Sequence, residues 1–368
     1  MPTTTTAAVV KAAGDPFTLT DVQLDDPRPG EVLVRIEAVG LCHSDLSVRS
    51  GKTPFPLPGV LGHEGAGVVE AVGPAVSKVI AGDRVVVTFD SCGRCIPCLT
   101  GRPSQCAHWP ALNLIGGSRL DGSATITRPD GEPVHGHFFG QSSFARHALA
   151  SERNVVKVVG DAPLDLLAPL GCGVQTGAGA ILNVLRPHPG STVAIFGAGG
   201  VGLSALIAAQ LSPATQIVAV DVQERRLVLA TDLGATATVN PRRDDPVRFL
   251  RALGGAHYAL ETSGNTAVLR QAVDSLAGNG VCAVVGAPPF GSEVSLDVPA
   301  MLTGNPHIVG VNQGSSVPDE FLPALMTLRA SGRLPFDRLI THFDFDDIED
   351  AASAAVAGDA VKPVLRMR

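Results

Sequence analysis

The stretch from Ser191 to Asp221 constrains this chain more than any other. It opens STVAIFGAGGVG, continues through LSALIAAQL and closes QIVAVD. Thr192 to Phe196 is a short apolar, β-branched run without polar alternation, which predicts a strand buried on both faces. Gly197, Gly199 and Gly202 follow in G-x-G-x-x-G spacing, with Gly200 inside the turn. The first glycine allows a tight turn, the second a close approach to a pyrophosphate, the third close helix–strand packing. Leu203, Leu206, Ile207 and Leu211 recur at helical spacing, so the glycines open a helix whose free N–H groups favour an anion. Glycine spacing alone says little in a chain with 41 glycines. The strand before it, the helix after it and an acid about 20 residues further on together specify a dinucleotide turn. Asp221 can accept hydrogen bonds from a ribose 2′-hydroxyl and repels a 2′-phosphate, which selects NAD over NADP. Arg225 and Arg226 read as a solvated helix face.

A chain of 368 residues exceeds one small core, so two domains are expected. With 45% hydrophobic and 17% charged residues it is globular. Its net charge of -7, with no clustered Lys/Arg run, excludes nucleic acid and an anionic membrane surface as partners. MPTTTTAAVV is no secretory leader and no spanning segment follows, so a cytoplasmic protein is expected. In that reducing compartment seven cysteines point to metal or catalysis rather than disulfides.

From Ala7 to about Val87 short alternating segments are broken by turns: VLVRIEAVG, GVVEAVG, AGDRVVV. This predicts a β-barrel type of pattern with no helical period until later. Two constellations sit on it. Cys92, Cys95, Cys98 and Cys106 fall within one loop, where four thiolates can close a tetrahedral shell around structural zinc. An iron–sulfur ligand run shares the C-x-x-C-x-x-C start, and paired disulfides are the plainer alternative. The second set is dispersed: Cys42 in GLCHSDL, His63 with Glu64 in LGHEGAG, and Cys172 in PLGCGVQTG. Three N/S ligands with an open fourth position make a catalytic zinc. Asp45 is placed to orient a ligating imidazole, and Glu64 to bind the metal transiently or tune its field.

GHEGAGVVEAVG, the four-cysteine spacing, and GAGGVG with Asp221 occur in the order found in the zinc-dependent medium-chain alcohol dehydrogenases, which the whole chain resembles. The resemblance implies an α/β fold in which a Rossmann doubly wound parallel sheet is inserted in a β-rich GroES-like catalytic domain. The domains would be 1–173 with 313–368, binding zinc, and 174–312, binding NAD. It implies catalytic zinc on Cys42, His63 and Cys172, structural zinc on the four-cysteine loop, and Ser44 as the first proton-relay group. His43 and Lys362 would approach the pyrophosphate, Thr176 and Val201 the nicotinamide, and Arg226 the adenosine ribose with Asp221. Phe89, Trp109 and Phe138 would border the substrate. Where many relatives carry a histidine that passes the proton to solvent, this chain has Ser47.

After Asp221 strands and helices alternate, as a parallel doubly wound sheet requires. Cys282 lies between apolar neighbours and reads as a core residue. The segment from Gly116 to Gly140 reads as a long surface excursion, with His135 and His137 facing solvent. NQGSSVP and SGRLPFDRLI are most similar to the aryl (benzyl) alcohol dehydrogenase branch. The activity implied is reversible, zinc- and NAD-dependent oxidation of a primary aromatic or allylic alcohol to its aldehyde by a homo-oligomer, a dimer or tetramer. The alternatives are a formaldehyde–thiol adduct or polyol dehydrogenase, a zinc-free quinone or enone reductase, and a non-catalytic NAD-binding protein.

Overall fold

A computed structural model describes residues 3–367. The chain divides into two compact units: Met1–Cys172 with Val317–Gly332 and Asp337–Arg368, and Gly173–Ser316 with Arg333–Phe336.

The first unit is built on two sheets. In one, Thr3–Val10 pairs antiparallel with Thr18–Leu24, which pairs with Ile126–Thr127. In the other, the long strand Glu31–Gly40 is central and pairs antiparallel with Gly65–Val72, His147–Ser151 and Lys362–Arg366. Val32, Leu33, Val34 and Ile36 are all buried and only Arg35 of this run is exposed, so the strand is covered on both faces over most of its length. The strand Lys362–Arg366 returns the chain's distal segment to the sheet that carries the first metal-ligand candidates.

Two sequence expectations need correcting here. The Gly116–Gly140 segment is not a free excursion: Ile126–Thr127 and Pro133–Val134 form a ladder that extends the first sheet, and Phe138 is fully buried. His137 is 8% exposed rather than solvent-facing, and burial pushes its imidazole down to about 4. The first half also contains a helix, His43–Arg49, too short to display a periodic apolar face in the sequence.

The second unit is a six-stranded parallel sheet. Its order is Ala237–Val239, Gln216–Val220, Thr192–Phe196, Ala256–Glu261, Leu276–Val284 and His307–Gly310. Numbered within the sheet this is 3-2-1-4-5-6, the doubly wound order, whose reversal falls beside Thr192–Phe196. All five residues of Thr192–Phe196 are buried, and Cys282 is a fully buried core residue. The helix Gly200–Ala209 is apolar on every side and buried almost throughout, as a helix enclosed by its neighbours should be. It ends before Leu211, because Pro213 two residues on disfavours helical continuation.

Two of the turn's glycines leave no room for a side chain. Gly197 sits at φ +99, and a Cβ on Gly202 would collide with the carbonyl oxygen of Gly197. Gly202→Ala is expected to cost about 1–3 kcal/mol through this overpacking and to abolish the rise in Tm on adding NAD. Differential scanning fluorimetry with and without NAD measures both.

Candidate functional site

His63 and Asp45 organise the first unit's site. Asp45 is fully buried in the helix His43–Arg49. Its Oδ2 accepts from the Cys42 amide at 2.9 Å, and its Oδ1 from the Gly62 amide and His63 Nδ1, both at 3.0 Å. One carboxylate thus joins the loop of Cys42 to the loop of His63. With Nδ1 committed to Asp45, Nε2 of the fully buried His63 presents a lone pair, and it has no hydrogen-bond partner. An orphaned imidazole nitrogen costs free energy unless a ligand takes it.

What faces that nitrogen is a cation-seeking set. Donor atoms of Cys42, His63, Glu64 and Cys172 lie within 4.8 Å of one another. The Cys172 thiol donates to the Cys42 sulfur, which holds Cys42 well below the usual thiol range and, together with burial, pushes Cys172 well above it. Burial opposes protonation of His63, but the Asp45 carboxylate prevails and raises it to about 10; a metal on Nε2 would replace that proton. Burial also pushes the Glu64 carboxyl up, while the Lys362 ammonium pulls it down. Lys362 Nζ lies 2.9 and 3.0 Å from the two Glu64 oxygens, and both side chains are buried. Glu64 and Lys362 neutralise each other, which leaves two thiolates and one neutral imidazole for a dication. Zinc fits this donor set and charge.

The second cluster is the four-cysteine loop. Sulfurs of Cys92, Cys95, Cys98 and Cys106 gather within 4.8 Å, and all seven cysteines of the chain are free thiols. The amides of Cys92 and His108 donate to Cys106 Sγ at 3.3 and 3.4 Å, and that of Ala107 to Cys95 Sγ at 3.4 Å. Backbone N–H donors, that of Ala107 foremost, lower Cys95 to about 6. Such donors favour thiolate, the form that binds metal. Disulfides are absent among the described residues, and a closed four-sulfur shell matches structural zinc.

In the second unit, Asp221 follows the strand Gln216–Val220 and is 8% exposed. Its Oδ2 accepts from the Ala198 amide at 2.7 Å and its Oδ1 from the Gln223 amide at 2.8 Å. The acid is therefore anchored directly to the glycine turn. Arg226 does not simply face solvent: its Nη1 lies 3.8 Å from Asp221 Oδ2, whereas Arg225 is exposed. Thr176, 6% exposed in the helix Gly173–Gly179, has a buried hydroxyl without a partner. That helix packs against Gly200–Ala209, close enough that a Cβ on Gly177 would strike Val201 O.

The remaining candidates are spread through the first unit. Ser44 Oγ lies 4.0 Å from Cys42 Sγ, and His43 and Ser47 lie on the same short helix, His43 exposed. Phe138 meets the His63 ring edge-on at 5.4 Å, and Trp109 meets Phe139 at 5.6 Å. Phe89 is 2% exposed and borders a cavity with Cys98 and Arg153. Phe139 and Gln141, both against His63, escaped the sequence reading because FFGQSS matches no ligand motif.

Comparison with known proteins decides the family. Residues 28–160 match the alcohol dehydrogenase GroES-like domain, and residues 200–330 the zinc-binding dehydrogenase domain. The chain belongs to the zinc-dependent alcohol dehydrogenases. It is 44% identical to geraniol dehydrogenase of Castellaniella defragrans, over 98% of this chain and 96% of that protein. The crystal structure of benzyl alcohol dehydrogenase from Acinetobacter calcoaceticus superposes with a TM-score of 0.96 at 44% identity, covering 100% of both chains. An alcohol dehydrogenase zinc-binding domain protein from Burkholderia ambifaria gives 0.97 at 49% identity, also over 100% of both. The chain is thus an alcohol oxidoreductase that uses zinc and NAD. Among its described residues no helix is long and apolar enough to cross a membrane.

Asp45→Ala in this dehydrogenase frees the His63 ring to rotate and change tautomer. Metal affinity at this site and kcat/KM should each fall about 10–100-fold, with the four-cysteine zinc retained. Zinc analysis after dialysis against a chelator, beside steady-state rates, tests this.

Proposed function

We propose that this alcohol dehydrogenase oxidises primary alcohols whose carbinol carbon is attached to an aromatic ring or a C=C bond, with NAD rather than NADP. Cys42, His63 and Cys172 hold the catalytic zinc, and Cys92, Cys95, Cys98 and Cys106 the structural one. When bound, zinc supplies a Lewis acid for the alcohol oxygen and NAD supplies the hydride acceptor. Asp45 fixes the tautomer and plane of His63. Ser44 accepts a hydrogen bond from the substrate hydroxyl and passes its proton outward. Ser47 offers no imidazole for the next step, so water carries the proton from there. Glu64 stands ready at the metal, its charge balanced by Lys362. Thr176 and Val201 receive the nicotinamide; His43 serves the pyrophosphate, which Lys362 reaches only by giving up its buried pair with Glu64.

The observation that carries the substrate reading is the gathering of aromatic rings at His63. Phe138 and Phe139 touch the imidazole, and Phe55 and Trp109 touch those rings in turn. Hydride departure leaves positive charge on the carbinol carbon, which an adjacent π system delocalises. The names of the two relatives, a geraniol and a benzyl alcohol dehydrogenase, support the same class. Phe89 is the third aromatic residue assigned to the substrate side.

For the cofactor, Asp221 supports NAD: the carboxylate is anchored to the turn, and Arg226, the group that could receive a 2′-phosphate, lies 3.8 Å from it. A homo-oligomer is supported by the edge strand His307–Gly310, where Ile308 is 42% exposed, and by the exposed Phe290 and Leu302 in the same unit. Thiolate ligands need a reducing compartment, for which we take the cytosol.

An NAD-coupled scan of alcohols should give kcat/KM for benzyl alcohol and geraniol at least about tenfold above ethanol, equal to some 1.4 kcal/mol in transition-state binding. A flat profile, or activity only with a thiol–formaldehyde adduct, refutes the substrate class. Asp221→Gly should raise kcat/KM with NADP relative to NAD; a wild type already using both equally well contradicts the reading of Asp221.

A further inference from the structure

The most strained stretch of the first unit lies directly against His63. His137, Phe139 and Ser142 adopt φ of +64, +52 and +51, with Gly140 at +67 among them. Each non-glycine residue there is in a strained conformation, which persists only where its surroundings over-determine it. They do so here. Asn154 Nδ2 donates to the carbonyls of Phe139 and Gly140, at 3.2 and 3.1 Å. Ser142 Oγ donates to Val60 O at 2.7 Å and accepts from the Phe138 amide at 2.9 Å.

The strained backbone delivers two side chains to the ligand loop. The Phe139 ring stacks on the His63 imidazole, centroids 4.3 Å apart and planes 21° from parallel. Gln141 is 2% exposed. Its Nε2 donates to His63 O at 3.1 Å and Thr88 O at 2.9 Å, and its Oε1 accepts from the Gly65 amide at 3.1 Å and from Ser143 Oγ. Thr88 carries the connection further, because its Oγ1 donates to Gly171 O at 2.7 Å, next to Cys172.

We propose that Gln141 and Phe139 are positioning residues for the catalytic metal: Gln141 fixes the main chain of His63 relative to the segment carrying Cys172, and Phe139 fixes the plane of the ring. Asp45 ties Cys42 to His63, and Gln141 with Thr88 ties His63 to Cys172, so the three ligands are fixed pairwise. Neither residue touches the metal in this role. The inference rests on the assignment of zinc to this site.

The test uses the zinc-loaded protein and follows release of each zinc to a chromogenic chelator. The phase missing from Cys42→Ser protein identifies the catalytic zinc. Gln141→Met and Phe139→Leu, each close in volume to the original, should speed that phase at least about tenfold while the four-cysteine zinc leaves at the wild-type rate. Cobalt loaded into the same site should show a shifted visible spectrum in both variants. Val22→Ala, a cavity in the same unit's core, lowers Tm and should alter neither phase. If both variants release the catalytic zinc at the wild-type rate, or Val22→Ala releases it as fast as they do, the positioning role is refuted. If the wild type holds only the four-cysteine zinc, the assignment of the site fails and the positioning role with it.

Discussion

The catalytic half of this protein depends on one carboxylate. Asp45 spends its two oxygens on three N–H donors, two from backbone and one from an imidazole. Buried without them, a charge of that kind would cost several kcal/mol; with them, it becomes the point at which two separate loops are fastened. It also decides the chemistry of His63, since donation through Nδ1 leaves Nε2 as the metal-facing atom. Every other feature of the site assumes that this choice has been made. The sulfurs of Cys42 and Cys172 converge where Nε2 points, and the Glu64–Lys362 pair removes two further charges from the balance.

The second unit repeats this logic with different atoms. Asp221 too is a carboxylate held by backbone N–H groups, one of them from Ala198 in the glycine turn itself. The acid proposed to discriminate between cofactors and the turn proposed to receive the pyrophosphate are therefore joined directly. Thr262 reinforces it from the next strand, its hydroxyl lying 3.0 and 2.9 Å from the carbonyls of Phe196 and Gly197. A nucleotide meets a surface set before it arrives, so little ordering entropy is left to oppose binding.

Motif-borne features could be read from the sequence because their constraints are local. The strand Thr192–Phe196 has the bounds its apolar run implies, and the four cysteines lie close enough in the chain to meet without help. Cys42, His63 and Cys172 are far apart in sequence, yet each sits in a short pattern of its own. What stayed hidden depends on distant partners. Nothing near Lys362 announces a buried ion pair with Glu64, which lies 298 residues away. Gln141 has no motif, since its value comes from three carbonyl and amide groups that only the folded sheet brings together. His137 reads as a surface residue because the segment Gly116–Gly140 is rich in Gly, Asp and His, whereas the ladder of Ile126–Thr127 with Pro133–Val134 carries it inward.

The strand Lys362–Arg366 has a consequence for biosynthesis. It pairs with Glu31–Gly40 and brings Lys362 to Glu64, but the ribosome makes Lys362 298 residues after Glu64, with the segment Gly173–Ser316 in between. The nascent first unit must wait with its central sheet short of a neighbour and Glu64 without its counter-charge, while the segment Gly173–Ser316 of the second unit is made as one continuous stretch. Until that strand is made, the central sheet stays open along one side, and the nascent first unit is exposed there to chaperones and proteases.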